Sequence, residues 1–325
     1  MGLTNFDQVQ ANAFIGSQFL TQGNTWFAKP YSGSDNRDGK SPRSALKTLL
    51  QAQSQAKANQ NDVVNVFAES DTAANTTDYQ SATLAWAKDG VHLIGVNARQ
   101  ALSQRSRVAF ASSYATASNL FTLSANGCLI ANMEFFAGVA SVNPTGCFNV
   151  TGERNHIVNC HIAGLGGAAG ANDIAGAYSL QISGQENLFE DCVIGVDTIT
   201  LGAALNSQLL MSGGAARNIF RRCVFLCYTN HATNHVFLRA ATASIDRFLV
   251  FEDCQFINPV DSLSTQLTSA FVVNAAAGGT VALVGGKTAV LGATHWNSTN
   301  SANVTAVSGT PASATFGLGV DVTLA

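Results

Sequence analysis

The middle of the chain repeats one hydrophobic and polar pattern at a nearly fixed interval. In each copy, an apolar residue stands three positions before a cysteine and another stands two positions after it, while the two positions just before the cysteine are mostly charged. Successive cysteines are 32, 31 and 31 residues apart. A fixed period of this length predicts a solenoid of stacked repeats. The four copies are NHIVNCHI (155–162), NLFEDCVI (187–194), NIFRRCVF (218–225) and LVFEDCQF (249–256).

The repeat extends in both directions from these copies. Asn132, 28 residues before Cys160, and Gly285, 31 residues after Cys254, are expected to hold the cysteine position in further copies, and GVHLIGV (90–96) resembles a weaker, earlier one. A second short apolar strand is expected about twelve residues before each cysteine. Such strands are CFNVTG, YSLQISG and QLLMSGG.

Short apolar strands separated by bends indicate a parallel β-helix in which each repeat forms one coil. Helical repeats of this length need helix-forming runs, leucine-rich repeats need an L-x-x-L-x-L frame, and a left-handed β-helix needs a six-residue period; none of these is present. We therefore predict an all-β protein, a right-handed single-stranded parallel β-helix solenoid of about seven coils. We expect an N-terminal capping helix and a C-terminal β cap at its ends.

The repeated cysteines are predicted to point into the solenoid. A cysteine and the residue two positions after it share one strand face, because side chains alternate along a strand. The apolar residue three positions before it can also point inward only if the backbone bends in between. The cysteines would then stack about 4.8 Å apart as small core side chains. The bend is expected at Asn159, Asp191, Arg222 and Asp253, and the stacked set is Cys160, Cys192, Cys223 and Cys254.

The outward positions before each cysteine carry charges that alternate in sign from coil to coil. Opposite charges that face each other across neighbouring strands favour one register, although each exposed pair contributes at most ~1 kcal/mol. Paired carboxylates of a glycosidase are the alternative, and an arginine between the acids of each column argues against it. The two columns are Glu190, Arg221, Glu252 and Asp191, Arg222, Asp253.

The two ends of the chain differ from its middle. Ser41 as N-cap and Pro42 at the first helical position predict a capping helix over 42–58, with an apolar stripe, followed by a strand over 62–69. We divide the chain into an N-terminal arm or attachment segment (1–30), a loop and capping helix (31–61), a parallel β-helix (62–287) and a C-terminal cap or contact segment (288–325). The first 28 residues contain one charged residue, Asp7, and 288–325 contain only Asp321. Contact surfaces are depleted in charge, so these ends either fold onto the solenoid or contact sister subunits or a larger assembly.

The segment YSGSDNRDGKSPRSALKTLLQA (31–52) resembles the start of pectate-lyase-like parallel β-helix proteins, with its G-S-D, D-G-x-S-P, Ala and Thr positions. It runs into NDVVNVFAE and GVHLIGV, as the first coils of that family do. Preceded by GLTNF, it is similar to virion proteins of tailed bacteriophages that attach a β-helix to the head or tail. The resemblance implies the fold and a virion context, and it implies no particular activity.

Composition argues against several classes of protein, namely nucleic-acid-binding, secreted, lipid-anchored and membrane-spanning proteins. The chain has 325 residues, 11% of them charged, with a net charge of −3 and no basic run, which excludes an electrostatic footprint for nucleic acid. We see no secretory signal, Phe6 stands where myristoylation needs Ser or Thr, and no apolar run approaches ~18 residues. Seven regularly spaced cysteines argue against a disulfide framework and favour folding in a reducing cytoplasm.

Candidate chemistry is sparse. His231 and His235, with Cys227 nearby, suit a metal only on a helix, whereas their neighbours indicate a loop. The Gly/Ala run over 162–178 is expected to be a loop bulging from one coil. Asp173 and Asp197, in loops on either side of one coil, are the fallback acid pair for a polysaccharide-cleaving enzyme. Such an enzyme also needs exposed aromatic side chains, and the three tryptophans lie outside the central coils. They are Trp26, Trp86 and Trp296.

We therefore expect a non-enzymatic structural protein of a phage virion, namely a capsid decoration or cement protein that stabilises the head. Its partners would be sister subunits in a homotrimer and the major capsid protein or another virion protein, with no nucleic acid and no membrane. It would be assembled in the host cytoplasm, with no catalytic, cofactor-binding or metal-binding residues. The alternative is a tailspike or fibre protein that binds or depolymerises bacterial surface polysaccharide. A cellular pectate-lyase-like enzyme is a third possibility, disfavoured by the missing signal peptide and the sparse acids.

Overall fold

Parallel β-strands make up nearly all of the regular structure. The computed structural model describes residues 23–70, 72, 76–111, 119–139, 144–165, 173–297 and 303–306. Within them, strands form three sheets, one of ten strands and two of eight. Every pairing between neighbouring strands in these sheets is parallel, so each strand is followed by a connection that brings the chain back beside it one coil later.

The three sheets are numbered in the order in which one coil passes through them. Sheet 1 contains β1 (Thr25–Ala28), β2 (Val63–Phe67), β5 (His92–Val96), β8 (Leu129–Ala131), β11 (His156–Val158), β14 (Leu188–Glu190), β17 (Ala215–Arg221), β20 (Ile245–Glu252), β23 (Thr280–Val284) and β26 (Val304–Ala306). Sheet 2 contains β3 (Thr77–Gln80), β6 (Ser106–Phe110), β9 (Met133–Ala137), β12 (His161–Leu165), β15 (Val193–Ile194), β18 (Val224–Leu226), β21 (Gln255–Ile257) and β24 (Ala289–Leu291). Sheet 3 contains β4 (Leu84–Trp86), β7 (Asn119–Leu123), β10 (Gly146–Val150), β13 (Tyr178–Ile182), β16 (Asn206–Met211), β19 (His235–Ala240), β22 (Leu267–Val273) and β25 (Ala293–Asn297).

This arrangement is the predicted right-handed parallel β-helix, the hand that strand crossovers almost always take. Each eight-stranded sheet receives one strand per coil, and the ten-stranded sheet continues past both ends. The early copy at 90–96 contains β5 of sheet 1, and the predicted upstream strands are β10, β13 and β16 of sheet 3. The repeat period therefore equals one coil.

Stacked columns of like side chains fill the solenoid. The four repeat cysteines are fully buried, and in the described part of the chain all seven cysteines are free thiols. The ring of Phe220 stacks on that of Phe189 with centroids 4.6 Å apart, and the ring of Phe225 stacks on that of Phe256 at 4.8 Å. Offset stacking at these separations adds to the gain from burying the rings. The prediction that the cysteines are core residues is confirmed.

A single left-handed residue makes the bend between sheets 1 and 2. The predicted bend residues all have φ between 50° and 53°. Asn132 (φ 57°) and Gly285 (φ 84°) occupy this same bend, so their prediction as equivalents of the cysteines was wrong by one residue. Met133, which follows Asn132, is the buried counterpart of Cys160. The error arose because spacing alone located these copies, whereas Asn and Gly are the residue types that tolerate this backbone region best.

The capping helix α1 (Leu49–Gln55) is shorter than the predicted 42–58. Its N-cap is Thr48, whose Oγ1 accepts the N–H of Gln51 at 3.1 Å, and not Ser41. Asp35 prevents an earlier start, because its carboxylate accepts the backbone N–H groups of Lys47 and Thr48. The predicted apolar stripe at helical spacing consists of Ala45, Leu46, Leu49, Leu50 and Ala56. Leu49 faces the core as predicted, but Leu50 is 61% exposed.

A ladder of buried asparagines holds the turn from sheet 3 into sheet 1. The Asn155 N–H donates to Oδ1 of Asn187, and the Asn187 N–H donates to Oδ1 of Asn218, each at 3.0 Å. The Nδ2 of Asn187 donates to the carbonyl of Gly152 in the coil before. Each side-chain amide therefore satisfies an N–H group and a carbonyl of the preceding coil that would otherwise be buried without partners.

The ends of the chain fall only partly within the described residues. Of the predicted segment 1–30, residues 23–30 are described and contain β1, which pairs with β2 in sheet 1. Of 288–325, the described residues contain β24, β25 and β26, which continue the three sheets. Residues 1–22 and 307–325, which carry most of the charge-poor sequence, lie outside the described part, as does 166–172 of the predicted Gly/Ala loop.

Candidate functional site

The outer face of sheet 1 carries an ion network over the central coils. Arg222 donates from Nε to Oδ1 of Asp191 at 2.8 Å and from Nη2 to Oε1 of Glu190 at 2.7 Å. Arg221 lies between Glu190 (3.7 Å) and Glu252 (2.7 Å) in the neighbouring coils. The hydrogen bond from Arg222 is the main cause that lowers the pKa of Asp191. The predicted alternation of charges between coils is confirmed.

A second line of charges lies where each coil enters sheet 1. Glu186 pairs with Arg154 of the preceding coil (2.6 Å) and with Arg217 of the following coil (2.6 Å). All three residues have positive φ, between 54° and 57°, a region that costs non-glycine residues free energy. Glu186 has an arginine on either side, and Glu190, Asp191 and Glu252 each pair with at least one arginine. This fits a structural role better than acid–base catalysis.

A different environment lies on the outer face of sheet 2. The connection between β5 and β6, residues 97–105, crosses this face and covers part of it; we name it the strap. Its Ser103 N–H donates to Nδ1 of His161 at 3.1 Å, and Nε2 of its Gln104 donates to the carbonyl of Asn159 at 2.8 Å. At its N-terminal end, Arg99 pairs with Asp191 at 2.8 Å. The strap therefore reaches from the second coil to the edge of the sheet 1 network.

Beneath the strap lies a row of ionisable side chains, Arg107, Glu134 and His161. Strand pairing places them in register on three consecutive coils. Arg107 Nη2 lies 2.9 Å from Glu134 Oε1, and the Glu134 side chain is 4% exposed. In the described part of the chain, Glu134 Oε2 and Arg107 Nε have no hydrogen-bond partner, and neither has Oε1 of Gln104 above them. Buried polar atoms without partners usually indicate ordered water or a site that binds a polar group.

Burial shifts the pKa values of the two titratable side chains in this row, Glu134 and His161. It raises the pKa of Glu134 to about 7, although the neighbouring Arg107 opposes the shift. It also lowers the pKa of His161 to about 4. At neutral pH His161 is therefore uncharged, and the proton on Nε2 donates to the carbonyl of Gly195 at 3.0 Å while Nδ1 accepts from the strap.

Two open grooves flank the strap, and Gln100 lines both. The first, about 530 Å³, lies against the first coil at Glu69 and Ser70. The second, about 400 Å³, has Val193 and Val224 among the residues that line it. Asn159, Asp191, Arg99 and Arg222 also line it. These volumes are within the range of small-ligand sites, but both grooves are open to solvent.

The fallback acids Asp173 and Asp197 have different surroundings. The Asp173 carboxylate accepts the N–H groups of Gly202 and Ala203 and the side-chain amide of Asn206, each at 2.9 Å, so it holds the loop of the next coil. Asp197 is exposed, just beyond β15. Asp173 is therefore a structural residue, and of the two only Asp197 has a carboxylate available to a ligand.

The histidine and cysteine group does not form a metal site. His235 is buried at the start of β19, where its Nε2 accepts from Nε2 of Gln208 at 3.0 Å. His231 is exposed in the preceding turn, and the Cys227 thiol is buried against the carbonyl of His235. A search of the described residues finds no group of three His, Cys, Asp or Glu side chains placed to bind a metal ion. The same residues contain no helix long and apolar enough to cross a membrane.

The three tryptophans, all among the described residues, do not form an exposed surface on which a sugar ring could stack. Trp86 is fully buried, and Trp26 is buried with Nζ of Lys40 over its ring at 3.4 Å. Trp296 is half-buried and packs edge-on against Phe256. Among the described residues, the outward position of sheet 3 carries the polar side chains of Asn149 and Gln181 on two neighbouring coils.

Sequence reasoning missed the strap and the row beneath it. Arg107 and Glu134 lie on earlier coils, where the cysteine pattern is absent, and only His161 lies in one of the quoted copies, directly after Cys160. One signal was available: Glu134 is an acid inside an otherwise apolar strand, MEFFA, and buried acids need a partner. The asparagine ladder was also missed, although Asn opens three of the four quoted copies.

Comparison with solved structures shows the fold. Pectin methylesterase PemA from Erwinia chrysanthemi superposes with a TM-score of 0.57 at 16% identity, over 85% of this chain and 82% of that one. A pectin methylesterase in complex with hexasaccharide VII gives 0.53 at 16% identity, over 82% and 81%. The deglycosylated Aspergillus niger pectin methylesterase gives 0.50 at 10%, over 89% and 91%. At these identities the likeness concerns the parallel β-helix alone.

Comparison of the amino-acid sequence with protein families and with curated proteins identifies no relative of this chain. No protein family matches the chain, and no curated protein matches it either.

Proposed function

We propose that this chain is a non-enzymatic structural protein of a tailed-phage virion, a decoration or cement protein that stabilises the head. One observation carries the proposal. In the described part of the chain, Asp197 is the only acid without a hydrogen bond or an ion pair. Apart from Glu153 and Asp246, which pair with the arginine next to them in sequence, the other described carboxylates connect coils or hold backbone groups of turns, so most of the acidic chemistry of this surface serves rigidity.

The proposed mechanism is mechanical. A preformed solenoid loses little conformational entropy on binding, so it can bridge neighbouring capsid subunits at low cost. The charge-poor ends of the sequence suit contacts with the capsid and with sister subunits in a homotrimer. The virion context is supported by the resemblance of GLTNF, followed by the pectate-lyase-like segment 31–52, to virion proteins of tailed bacteriophages.

Copy number in purified virions tests this proposal. Quantitative mass spectrometry of intact particles, calibrated on the major capsid protein, should find many copies per particle, in the head fraction. Light scattering of the isolated protein should give the mass of a trimer. A few copies confined to tails would contradict the decoration role, and absence from particles would contradict the virion role.

A second candidate is a tailspike or fibre protein that binds or cleaves bacterial surface polysaccharide. The comparisons favour it over the first candidate, because the solved structures named above are pectin methylesterases, one of them in complex with a hexasaccharide. It predicts release of oligosaccharides from host capsule or lipopolysaccharide. Asp197→Asn should abolish this release if Asp197 is the catalytic acid.

Asp173→Asn is the matched control for that experiment. Because the Asp173 carboxylate fixes the loop of the next coil, its amide should lower thermal stability and leave release per folded molecule largely intact. Absence of oligosaccharide release from every host surface polysaccharide would count against cleavage, and absence of binding as well would reject the second candidate.

A further inference from the structure

The contact between the strap and His161 requires an uncharged imidazole. Nδ1 accepts the backbone N–H of Ser103, and Nε2 lies 3.0 Å from the carbonyl of Gly195, to which it must donate. Only the neutral ring with its proton on Nε2 makes both hydrogen bonds. A second proton, on Nδ1, would point at the Ser103 N–H and turn an attractive contact into a repulsive one.

We propose that the strap is an acid-released cover of the outer face of sheet 2, held closed by the neutral imidazole of His161 and opened when that ring gains a proton.

The groups around His161 support this proposal. Arg107 on the same face opposes a positive charge on the ring, whereas Asp197 beyond β15 favours it. Glu134, on the neighbouring strand, is already paired with Arg107, and the charge of Arg105 on the strap also acts on Glu134. No free carboxylate in the described residues is therefore in contact with the ring to stabilise a buried imidazolium.

The direction of the pH dependence follows from burial. Under the closed strap the pKa of His161 is about 4, and in the open state it returns toward its ordinary value of 6.5. The closed state is therefore fully favoured above pH 6.5 and loses its advantage as pH falls from 6.5 to 4. For these two pKa values the opening constant rises up to about 60-fold between pH 7 and pH 4.5.

Opening has a defined structural consequence. The strap separates two grooves that share Gln100. Its release joins them and exposes the outer side of His161. The partnerless atoms Glu134 Oε2 and Arg107 Nε lie on the two preceding strands of the same face. The pKa of Glu134 is about 7 in the closed state. At the lower pH that releases the strap, this carboxyl group is therefore protonated and can donate a hydrogen bond.

Hydrogen exchange resolved by mass spectrometry tests the proposal on the full chain. Peptides from the strap and from β17 would be compared at pH 7 and pH 4.5, with rates corrected for the intrinsic effect of pH. The test variant is His161→Asn, whose Oδ1 can accept the Ser103 N–H at any pH. The matched control is His235→Asn, a second buried histidine whose pKa burial also lowers to about 4, and which makes no described contact with the strap.

If the proposal is right, hydrogen-exchange protection should change in one pattern. Strap peptides of the unmodified protein and of His235→Asn should lose protection by tens of times at pH 4.5, while β17 peptides stay protected and His161→Asn shows little change. Equal loss in His161→Asn would overturn the proposal, as would loss in β17 at the same pH, because the strap would then not open by itself.

A second variant keeps the test valid if His161→Asn fails to fold. Gln104→Ala removes the contact with the Asn159 carbonyl, which does not titrate. It should weaken strap protection at both pH values and preserve the ratio between them. A ratio close to one would overturn the proposal.

Discussion

The outer faces of sheets 1 and 2 carry the same kind of ion pair in opposite environments. On sheet 1, Asp191 and Arg222 are partly exposed, and the hydrogen bond from Arg222 lowers the pKa of the acid. On sheet 2, Glu134 and Arg107 are covered, and burial raises the pKa of the acid to about 7 against the attraction of the arginine. Both pairs connect neighbouring coils at nearly the same distance, 2.8 and 2.9 Å.

The difference shows that burial of the pair, and not the distance between its charges, determines whether the pKa of the acid is raised or lowered. An exposed pair keeps most of its hydration and contributes little, whereas a covered pair has lost hydration that its mutual attraction only partly replaces. On sheet 2 the strap crosses the face and contributes to that cover, whereas the sheet 1 pair stays partly exposed although Arg99 of the strap reaches Asp191. The two faces therefore provide an internal control for one another.

The largest expected effect comes from removing one partner of the covered pair. Arg107→Met leaves Glu134 buried without its cation and should lower the free energy of unfolding by about 3–5 kcal/mol. Arg222→Met on the exposed face should cost at most about 1 kcal/mol. Denaturant unfolding of both variants measures the two costs, and equal costs would refute the comparison.

Replacing the whole covered pair sharpens the same test. Arg107→Met combined with Glu134→Leu leaves no buried charge, so we expect most of the stability lost in the single variant to return. A double variant no more stable than Arg107→Met would mean that side-chain shape, and not desolvation, makes the pair necessary.

A smaller effect concerns pH. The pKa of Glu134 is raised from 4.5 to about 7 in the fold, so its protonated form stabilises the protein, and that stability is lost as pH rises from 4.5 to 7, by at most about 3 kcal/mol. Relative to Glu134→Gln, the unmodified protein should therefore lose stability across this window. The histidines are the same in both proteins, so their contributions cancel in the difference.

Asp191→Asn provides the contrasting variant for that measurement. The pKa of Asp191 is lowered from 3.8, so its ionised form stabilises the fold above pH 3.8 and that stability is lost as pH falls. Relative to Asp191→Asn, the unmodified protein should lose stability toward acid, opposite to the trend for Glu134. Two trends of the same sign would contradict the comparison.

The smallest expected effect concerns salt. At 1 M salt the Debye length is about 3 Å, so exposed pairs are largely screened and covered pairs are not. The cost of Arg222→Met should shrink by a few tenths of a kcal/mol between 0.05 and 1 M NaCl, values chosen to span this range. The cost of Arg107→Met should change less, and the reverse order would argue that the strap admits solvent.

The core was predictable because its positions repeat. Cys192 and Phe220 each have a counterpart one coil away, so spacing alone identifies the interior, and the bend residues follow from the odd step between them. The alternating charges were predictable for the same reason. Periodic features are specified many times in one sequence, which makes each copy a check on the others.

Features outside the repeat could not be predicted from repeated positions in the sequence. The start of α1 depends on Asp35, a residue distant from the helix in sequence, whose carboxylate competes for the N–H groups of Lys47 and Thr48. The strap contacts His161 across 58 residues and Asp191 across 92. Contacts that occur once, between segments of different coils, leave no period in the sequence. The candidate site was missed for this reason.

The alternation of charge on sheet 1 has a consequence for how the chain folds. Inside the solenoid, the cysteines of successive coils are interchangeable, so an intermediate that skipped the coil of Cys223 and stacked Cys254 on Cys192 would still bury a continuous core. On the surface of that shortened intermediate, Glu190 and Asp191 would meet Glu252 and Asp253 instead of arginines. Like charges at adjacent positions repel. The surface thereby disfavours a whole-coil slip that the uniform interior would permit.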